Sequence, residues 1–270
     1  MSARGLLWIV LLVSLVVGCA SPPGVALVVG NGDYPGSSAL ANPPRDARGI
    51  SRELSRVGWD VTTLIDRPRT ELDAAVRDFA RAIERTDQAL FYYAGHGMQV
   101  GGENYLVPID FVPSDVVLNR DLVAVTSLIE HLSADAPQLV VILDACRNNP
   151  LALRLRESGA IRGVVFEDLS PGADLVVGDG LAEVRARSRT LIAFSTQPGH
   201  YALDGDGEHS PFTGALLDHL TERNKDIQWI LRRVREDVMS LTSDEQVPWD
   251  HSSLTGDFIV HPLEVDAPAP

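Results

Sequence analysis

Residues 139–150 read LVVILDACRNNP: five large apolar side chains, then Asp144-Ala145-Cys146, then a breaker at Asn148-Asn149-Pro150. Leu139 to Leu143 are too few to span a membrane, and their β-branched content predicts a central strand buried on both faces. Asn148-Asn149-Pro150 ends that strand by turn chemistry. Cys146 therefore falls at the carboxyl end of a buried parallel strand, where open α/β sheets place their chemistry. A second run of the same character, Gln88-Ala89-Leu90-Phe91-Tyr92-Tyr93, leads into Ala94-Gly95-His96-Gly97. Two such strands side by side would bring an imidazole and a thiol together.

The rest of the chain alternates strand and helix patterns around this pair. Val25 to Gly30 predicts a first strand, followed by a loop over residues 31–36. A dinucleotide fingerprint would need a glycine at 35, where Pro35 stands, which speaks against nucleotide binding. After Pro43-Pro44, Ala47, Ile50, Leu54 and Val57 recur at helical spacing and Gly58 stops the helix. Trp59 to Ile65 predicts a strand. Thr70 and Asp73 suggest a capping box that opens a helix with Leu72, Val76, Phe79 and Ile83 on one face. Met98 to Ile109 predicts a hairpin turning at Gly101-Gly102, and Thr126 to Leu132 a short helix. Thr190 to Ser195 resumes as a strand. Phe212, Leu216, Leu217 and Leu220 mark one helix face, and Ile227, Ile230, Leu231, Val234 and Val238 another. Asp257 to Val260 is expected as the final edge strand. The pattern predicts an α/β fold: a mostly parallel six-stranded sheet with helices on both faces.

Charge and cysteine usage narrow the function. A net charge of −14 argues against a nucleic-acid partner. Arg4 followed by Leu6 to Val13 has the layout of a secretory signal peptide over residues 1–18. Leu15-Val16-Val17-Gly18-Cys19 resembles a bacterial lipobox, with Cys19 as the lipidated residue and 19–24 as a tether; an uncleaved anchor and a plain signal peptide are the alternatives. Ala20 is not the aspartate that retains lipoproteins at the inner membrane, so the expected location is the cell envelope, lipid-anchored on the periplasmic face of the outer membrane. Of the two cysteines, Cys146 is then a lone thiol in an oxidising compartment, where disulfides take pairs.

A thiol attacks as thiolate, and an adjacent histidine can take its proton and later give it to a leaving amine. Gly97 sets a backbone N–H beside the site, and with the N–H of Cys146 it could form an oxyanion hole. His200 and His209 fall in the loop after the Thr190 strand and read as solvated loop residues or a substrate-contact rim. No paired Cys/His spacing suggests a metal. Asp204-Gly205-Asp206-Gly207-Glu208 lacks the twelve-residue pattern of a calcium loop and reads as a polar turn. Residues 151–189 interrupt the pattern with arginines at 154, 156, 162, 185, 187 and 189.

Four pieces in order, Ala26-Leu27-Val28-Val29-Gly30-Asn31 with Asp46-Ala47, Tyr93-Ala94-Gly95-His96-Gly97, Leu143-Asp144-Ala145-Cys146-Arg147 and Phe194 to Gly199, resemble the caspase/metacaspase clan, and within it bacterial caspase-like cysteine peptidases. The 50 residues from His96 to Cys146 match the separation familiar from caspases. The resemblance spans about residues 25–260. It implies a cysteine endopeptidase acting on proteins or peptides, with His96 as base and acid and Cys146 as nucleophile. It also implies a p20-like part at 25–150, a linker at 151–189, a p10-like part at 190–262 and a loose tail at 263–270. Asp46 and Asp144 match the acidic pocket residues of metacaspases, and Asp204 stands where caspases carry an arginine. These carboxylates imply arginine or lysine at P1. The metacaspase serine two residues before the histidine is Ala94 here, and Asp46 has an alternative role as a helix cap. No cofactor is implied, although metacaspases often need calcium, a dependence the residues leave open, as they do the oligomeric state. The competing readings are a lipid-tethered caspase-like binding module without proteolytic activity and a cysteine hydrolase acting on small amides. A site preferring arginine would also be expected to cut its own 151–189 segment.

Overall fold

The computed structural model describes residues 22–113, 116–134, 136–146, 177–178, 181, 184, 188–198, 200 and 202–263. The expected signal peptide, Cys19 and most of the 151–189 insert lie outside these residues. Among the described residues no helix is long and apolar enough to cross a membrane.

In chain order the elements are β1 (Val25–Gly30), α1 (Pro43–Arg56), β2 (Asp60–Ile65), α2 (Arg69–Ile83), β3 (Ala89–Val100), β4 (Glu103–Leu106), α3 (Leu118–Asp121), β5 (Val123–Ala124) and α4 (Val125–Ser133). There follow β6 (Leu139–Cys146), β7 (Val177–Gly178), β8 (Thr190–Phe194), α5 (Pro211–His219), α6 (Ile227–Leu241) and β9 (Trp249–Ser252). The main sheet runs β2-β1-β3-β6-β8-β9. The first five strands are parallel and β9 closes one edge antiparallel.

The alternation of side chains along these strands builds two cores. Leu27, Phe91, Tyr93, Val141, Leu143 and Ile192 face the layer carrying α2 and α4. Ala26, Val28, Leu90, Tyr92, Val140, Ile142 and Leu191 face the layer carrying α1, α5 and α6. Both faces are covered, which is why the central strands read as unbroken apolar runs instead of alternating ones. The helices present the stripes expected of them: Ala47, Ile50 and Leu54 on α1, and Ile227, Ile230, Leu231, Val234 and Val238 on α6, are all buried. The parts before and after the insert share one sheet, because β8 pairs with β6 along Leu139–Leu143.

The α/β class and the mostly parallel sheet are as expected, and three details differ. The described residues hold nine connected strands, not six, because β3 runs on past the main sheet and pairs there with β4 and β7, and β4 pairs with β5. The hairpin between β3 and β4 turns at Gly101 (φ 59°) and Gly102 (φ 87°), the two positive values that a tight two-residue turn requires. Residues 257–260 are not the edge strand: only Ile259 makes a bridge, to Asp226. Phe258 and Val260 are instead buried against the α1/α6 layer, where the Val260 carbonyl accepts from Trp59 Nε1 at 2.7 Å. The edge is β9, whose sequence WDHS carries no apolar run to announce it. The capping box also fails. Pro68 precedes the first turn of α2 without a side-chain cap, and Asp73 accepts instead from Arg69 Nε at 2.7 Å.

Candidate active site

The register of β3 on β6 pairs Tyr93 with Leu143, Ala94 with Asp144, Gly95 with Ala145 and His96 with Cys146. The two residues singled out in the sequence therefore lie opposite each other on adjacent parallel strands. His96 is not at a strand end, however, because β3 continues through it to Val100. Gly95 makes this passage possible with φ 152°. A Cβ there would come within 2.8 Å of Tyr93 Oη and 2.9 Å of Tyr34 Oη.

Those two phenols hold the backbone of His96. Its N–H donates to Tyr34 Oη at 3.1 Å, and its carbonyl accepts from Tyr93 Oη at 2.9 Å and from the Val107 N–H at 3.0 Å. Tyr34 Oη donates to the Val107 carbonyl at 2.8 Å, and the Tyr34 ring lies against the imidazole with centroids 4.5 Å apart.

The imidazole is 1% exposed. Its Nε2 lies 2.7 Å from the Ser38 carbonyl, an atom that can only accept, so Nε2 carries the proton. Burial pushes the His96 pKa down to about 4 against the raising effect of that carbonyl. At neutral pH the ring is uncharged and Nδ1 is an open acceptor. It is buried and has no hydrogen-bond partner among the described residues. Beside it, a Cβ on Gly97 would approach Ala145 Cβ to 3.1 Å and Leu181 Cδ2 to 3.2 Å, so glycine is what lets these backbones close up. Gly97 itself pairs in register with Leu106 of β4.

A second cluster gathers on the α1/α5 side. Asp46 lies in the first turn of α1 but not at its N-cap, which is Asn42, and prolines occupy the first two helical positions. Asp46 Oδ1 instead meets His209 Nδ1 at 2.8 Å and the Ser210 N–H at 3.4 Å. Asp144, on β6, accepts from Ser210 Oγ at 2.5 Å and Thr213 Oγ1 at 2.7 Å, both on Oδ2. Ser210 is also the N-cap of α5, taking the Thr213 N–H at 2.9 Å. One serine thus closes a helix and ties two carboxylates together.

Burial, and then the charge of Asp144, raise Asp46 to about 8. Asp144 is raised by burial against hydrogen bonds from Ser210, Thr213 and Ser195. Asp204 is raised by burial and then by Asp144. The three aspartates named from the sequence therefore form one electrostatic group. His209, read as a solvated or rim residue, is a member of it. His200 stays exposed. Among the described residues no group of three or more His, Cys, Asp or Glu is placed to hold a metal ion.

The caspase domain model of peptidase family C14 matches residues 23–259. The chain belongs to that family. Among curated proteins it is 28% identical over 124 residues to human mucosa-associated lymphoid tissue lymphoma translocation protein 1, covering 46% of this chain and 15% of the relative. The mouse homolog matches over the same extent at 28%, so the chain spans about 15% of the length of these relatives. Among solved structures, the Drosophila initiator caspase Dronc superposes with a TM-score of 0.62 at 13% identity, over 88% of this chain and 83% of that one. Caspase-1 from Spodoptera frugiperda gives 0.61 at 18% identity, over 91% and 92%. At these identities the likeness is one of fold. The protein carries a caspase-like peptidase domain.

Sequence reasoning missed Tyr34, Ser38, Ser210 and Thr213. Ser210-Pro211 before an apolar helix face was a readable N-cap signal. A backbone acceptor such as the Ser38 carbonyl leaves no signal in side-chain identity.

Proposed function

We propose that the chain is a cysteine endopeptidase that cleaves after arginine or lysine, with Cys146 as nucleophile and His96 as base and acid. The observation that carries this reading is the state of His96: neutral, protonated on Nε2 toward Ser38, and open at a buried Nδ1 on the strand next to Cys146. Such a ring takes the thiol proton on Nδ1 as sulfur attacks the scissile carbonyl, and the Ser38 carbonyl stabilises the imidazolium that forms. The same proton then passes to the leaving amine. A water, deprotonated by the ring in turn, releases the acyl group. The oxyanion of each tetrahedral intermediate forms beside the backbone of Gly97 and Cys146.

Asp46, Asp144 and Asp204 form the P1 pocket in this reading. Three carboxylates in a largely desolvated group attract a guanidinium or ammonium and repel an aspartate. The same proposal places the domain on a lipid tether at Cys19, on the periplasmic face of the outer membrane, as the lipobox-like segment supports.

Fluorogenic peptides that differ only at P1 test it. Those ending in arginine should be cleaved at least tenfold better than those ending in aspartate, and Cys146→Ala should abolish the signal while the fold persists. Turnover retained in Cys146→Ala, or a preference for aspartate, would sink the assignment.

A further inference from the structure

Asp46 is 1% exposed and Asp144 6%, and among the described residues no arginine or lysine lies within ion-pair distance of Asp46, Asp144 or Asp204. The ionisable group in contact with Asp46 is His209, whose side chain is 19% exposed, with Nδ1 2.8 Å from Oδ1. Its ring is seated against Gly49 of α1. A Cβ on that glycine would come to 3.2 Å from His209 Cε1 and 3.0 Å from Leu217 Cδ1. Glycine inside a helix is destabilising relative to alanine, and here it gives the imidazole its place beside Asp46. Both side-chain hydrogen bonds described for Asp46 fall on Oδ1, which leaves Oδ2 for a substrate.

Resting on the P1 pocket proposed above, we propose that Asp46 and His209 hold one shared proton in the empty pocket and that a cationic P1 side chain expels it to solvent, which makes His209 a specificity-determining residue. The physical ground is like-charge crowding: adjacent buried carboxylates do not all ionise without a cation. A proton between carboxylate and imidazole supplies it until the guanidinium arrives. The proton belongs to the pair and not to either residue. Around the imidazole, Glu208 on its own loop favours its charged form, while burial and Arg52 and Arg45 of α1 disfavour it. Burial, Asp144 and Asp204 favour the protonated form of Asp46, while the Ser210 N–H and Arg45 of α1 favour its carboxylate. These influences keep the pair neutral overall, with the proton available for exchange.

The test compares peptides ending in arginine with peptides ending in citrulline, which has the same shape without the charge. Both share the thiol and His96, so their ratio of kcat/KM cancels the titration of the dyad. The arginine-to-citrulline ratio should fall about tenfold per pH unit below the titration of the pair, through KM. His209→Asn keeps a donor to Asp46 but holds no proton, so it should move this limb to lower pH. His209→Leu removes the donor, so it should move the limb to higher pH and raise KM for arginine at neutral pH. A shift in the same direction in both variants would reduce His209 to a packing role and overturn the inference. In the wild-type protein, calorimetry in two buffers of different ionisation enthalpy should find about one more proton released by a peptide arginine aldehyde than by its citrulline counterpart. Equal release, or a ratio flat with pH while arginine is still preferred, overturns the shared proton and leaves the P1 reading standing. Citrulline cleaved as well as arginine at every pH overturns both.

Discussion

Tyr34→Phe removes one oxygen from a side chain that is 2% exposed, and the structure says what that oxygen leaves behind. The Val107 carbonyl loses the donor at 2.8 Å but keeps Asn31 Nδ2 at 3.4 Å and a share of the single Tyr93 hydroxyl proton, 3.0 Å away, which also serves the His96 carbonyl. The His96 N–H loses its Tyr34 acceptor at 3.1 Å. A buried donor stripped of its partner costs about 1–3 kcal/mol. For a chain of this size that is a fall in Tm of about 2–12 °C. Tyr93→Phe is the internal control, because the His96 carbonyl keeps the Val107 N–H at 3.0 Å. Its cost is that of an ordinary hydrogen bond, about 0.5–1.5 kcal/mol. Thermal melts of the two variants should rank Tyr34→Phe as the less stable. Steady-state kinetics on an arginine peptide should show the Tyr34→Phe loss in kcat with KM near wild type, since the base shifts and the pocket does not. Equal melting of Tyr34→Phe and wild type with unchanged kcat, or a larger loss in Tyr93→Phe, would refute the idea that these phenols hold the base.

Three further outcomes follow from other parts of the molecule. Gly30→Ala should be strongly destabilising in chemical denaturation, because its Cβ would lie 2.3 Å from the Pro43 carbonyl oxygen and 2.6 Å from Ala47 Cβ; a loss below about 1 kcal/mol would mean that α1 can retreat from β1. His219 donates to Glu222 at 2.7 Å and to Asp237 at 2.7 Å; burial opposes its charge, but the two carboxylates outweigh burial and raise its pKa. The stability advantage of wild type over His219→Asn should be complete below about pH 6.5 and fade as pH rises through the elevated folded value, and denaturation midpoints differing equally at pH 6 and pH 9 would contradict it. Intact-mass measurement of wild type beside Cys146→Ala should show cleavage after one or more of the arginines between 154 and 189 only in the wild type; two uncut chains would end the self-processing idea without touching peptidase activity.

The apolar runs at 25–30, 89–93 and 139–143 were legible because strands buried on both faces leave no alternation to misread. The pairing of His96 with Cys146 followed from strand adjacency alone. β9 was illegible for the opposite reason: it is held at the edge by backbone pairing with β8, and none of its side chains, the apolar Trp249 included, is fully buried. Residues 257–260 misled because burial against helices produces the same apolar signature as burial in a sheet. In the site, a local pattern suggested that Asp46 caps a helix, and a contact from His209, 163 positions away in the chain, decided otherwise. Ser38 acts through its carbonyl, which every residue possesses.

His96, the proposed base, sits inside a strand and not on a loop. β1 flanks β3 as far as Ala94, β6 as far as His96, and β4 takes over from Gly97. The backbone that carries this imidazole has no loop beside it to act as a hinge, and moving it means parting paired strands. The amides of Tyr92 and Tyr93, in the part of β3 flanked by β1 and β6, should accordingly exchange their hydrogens among the slowest in the molecule. Under the proposed function, an inhibitor gains nothing by trying to displace His96. Cys146 shares that placement, since it ends β6 directly opposite His96, so an inhibitor must fit the pair as the sheet sets it.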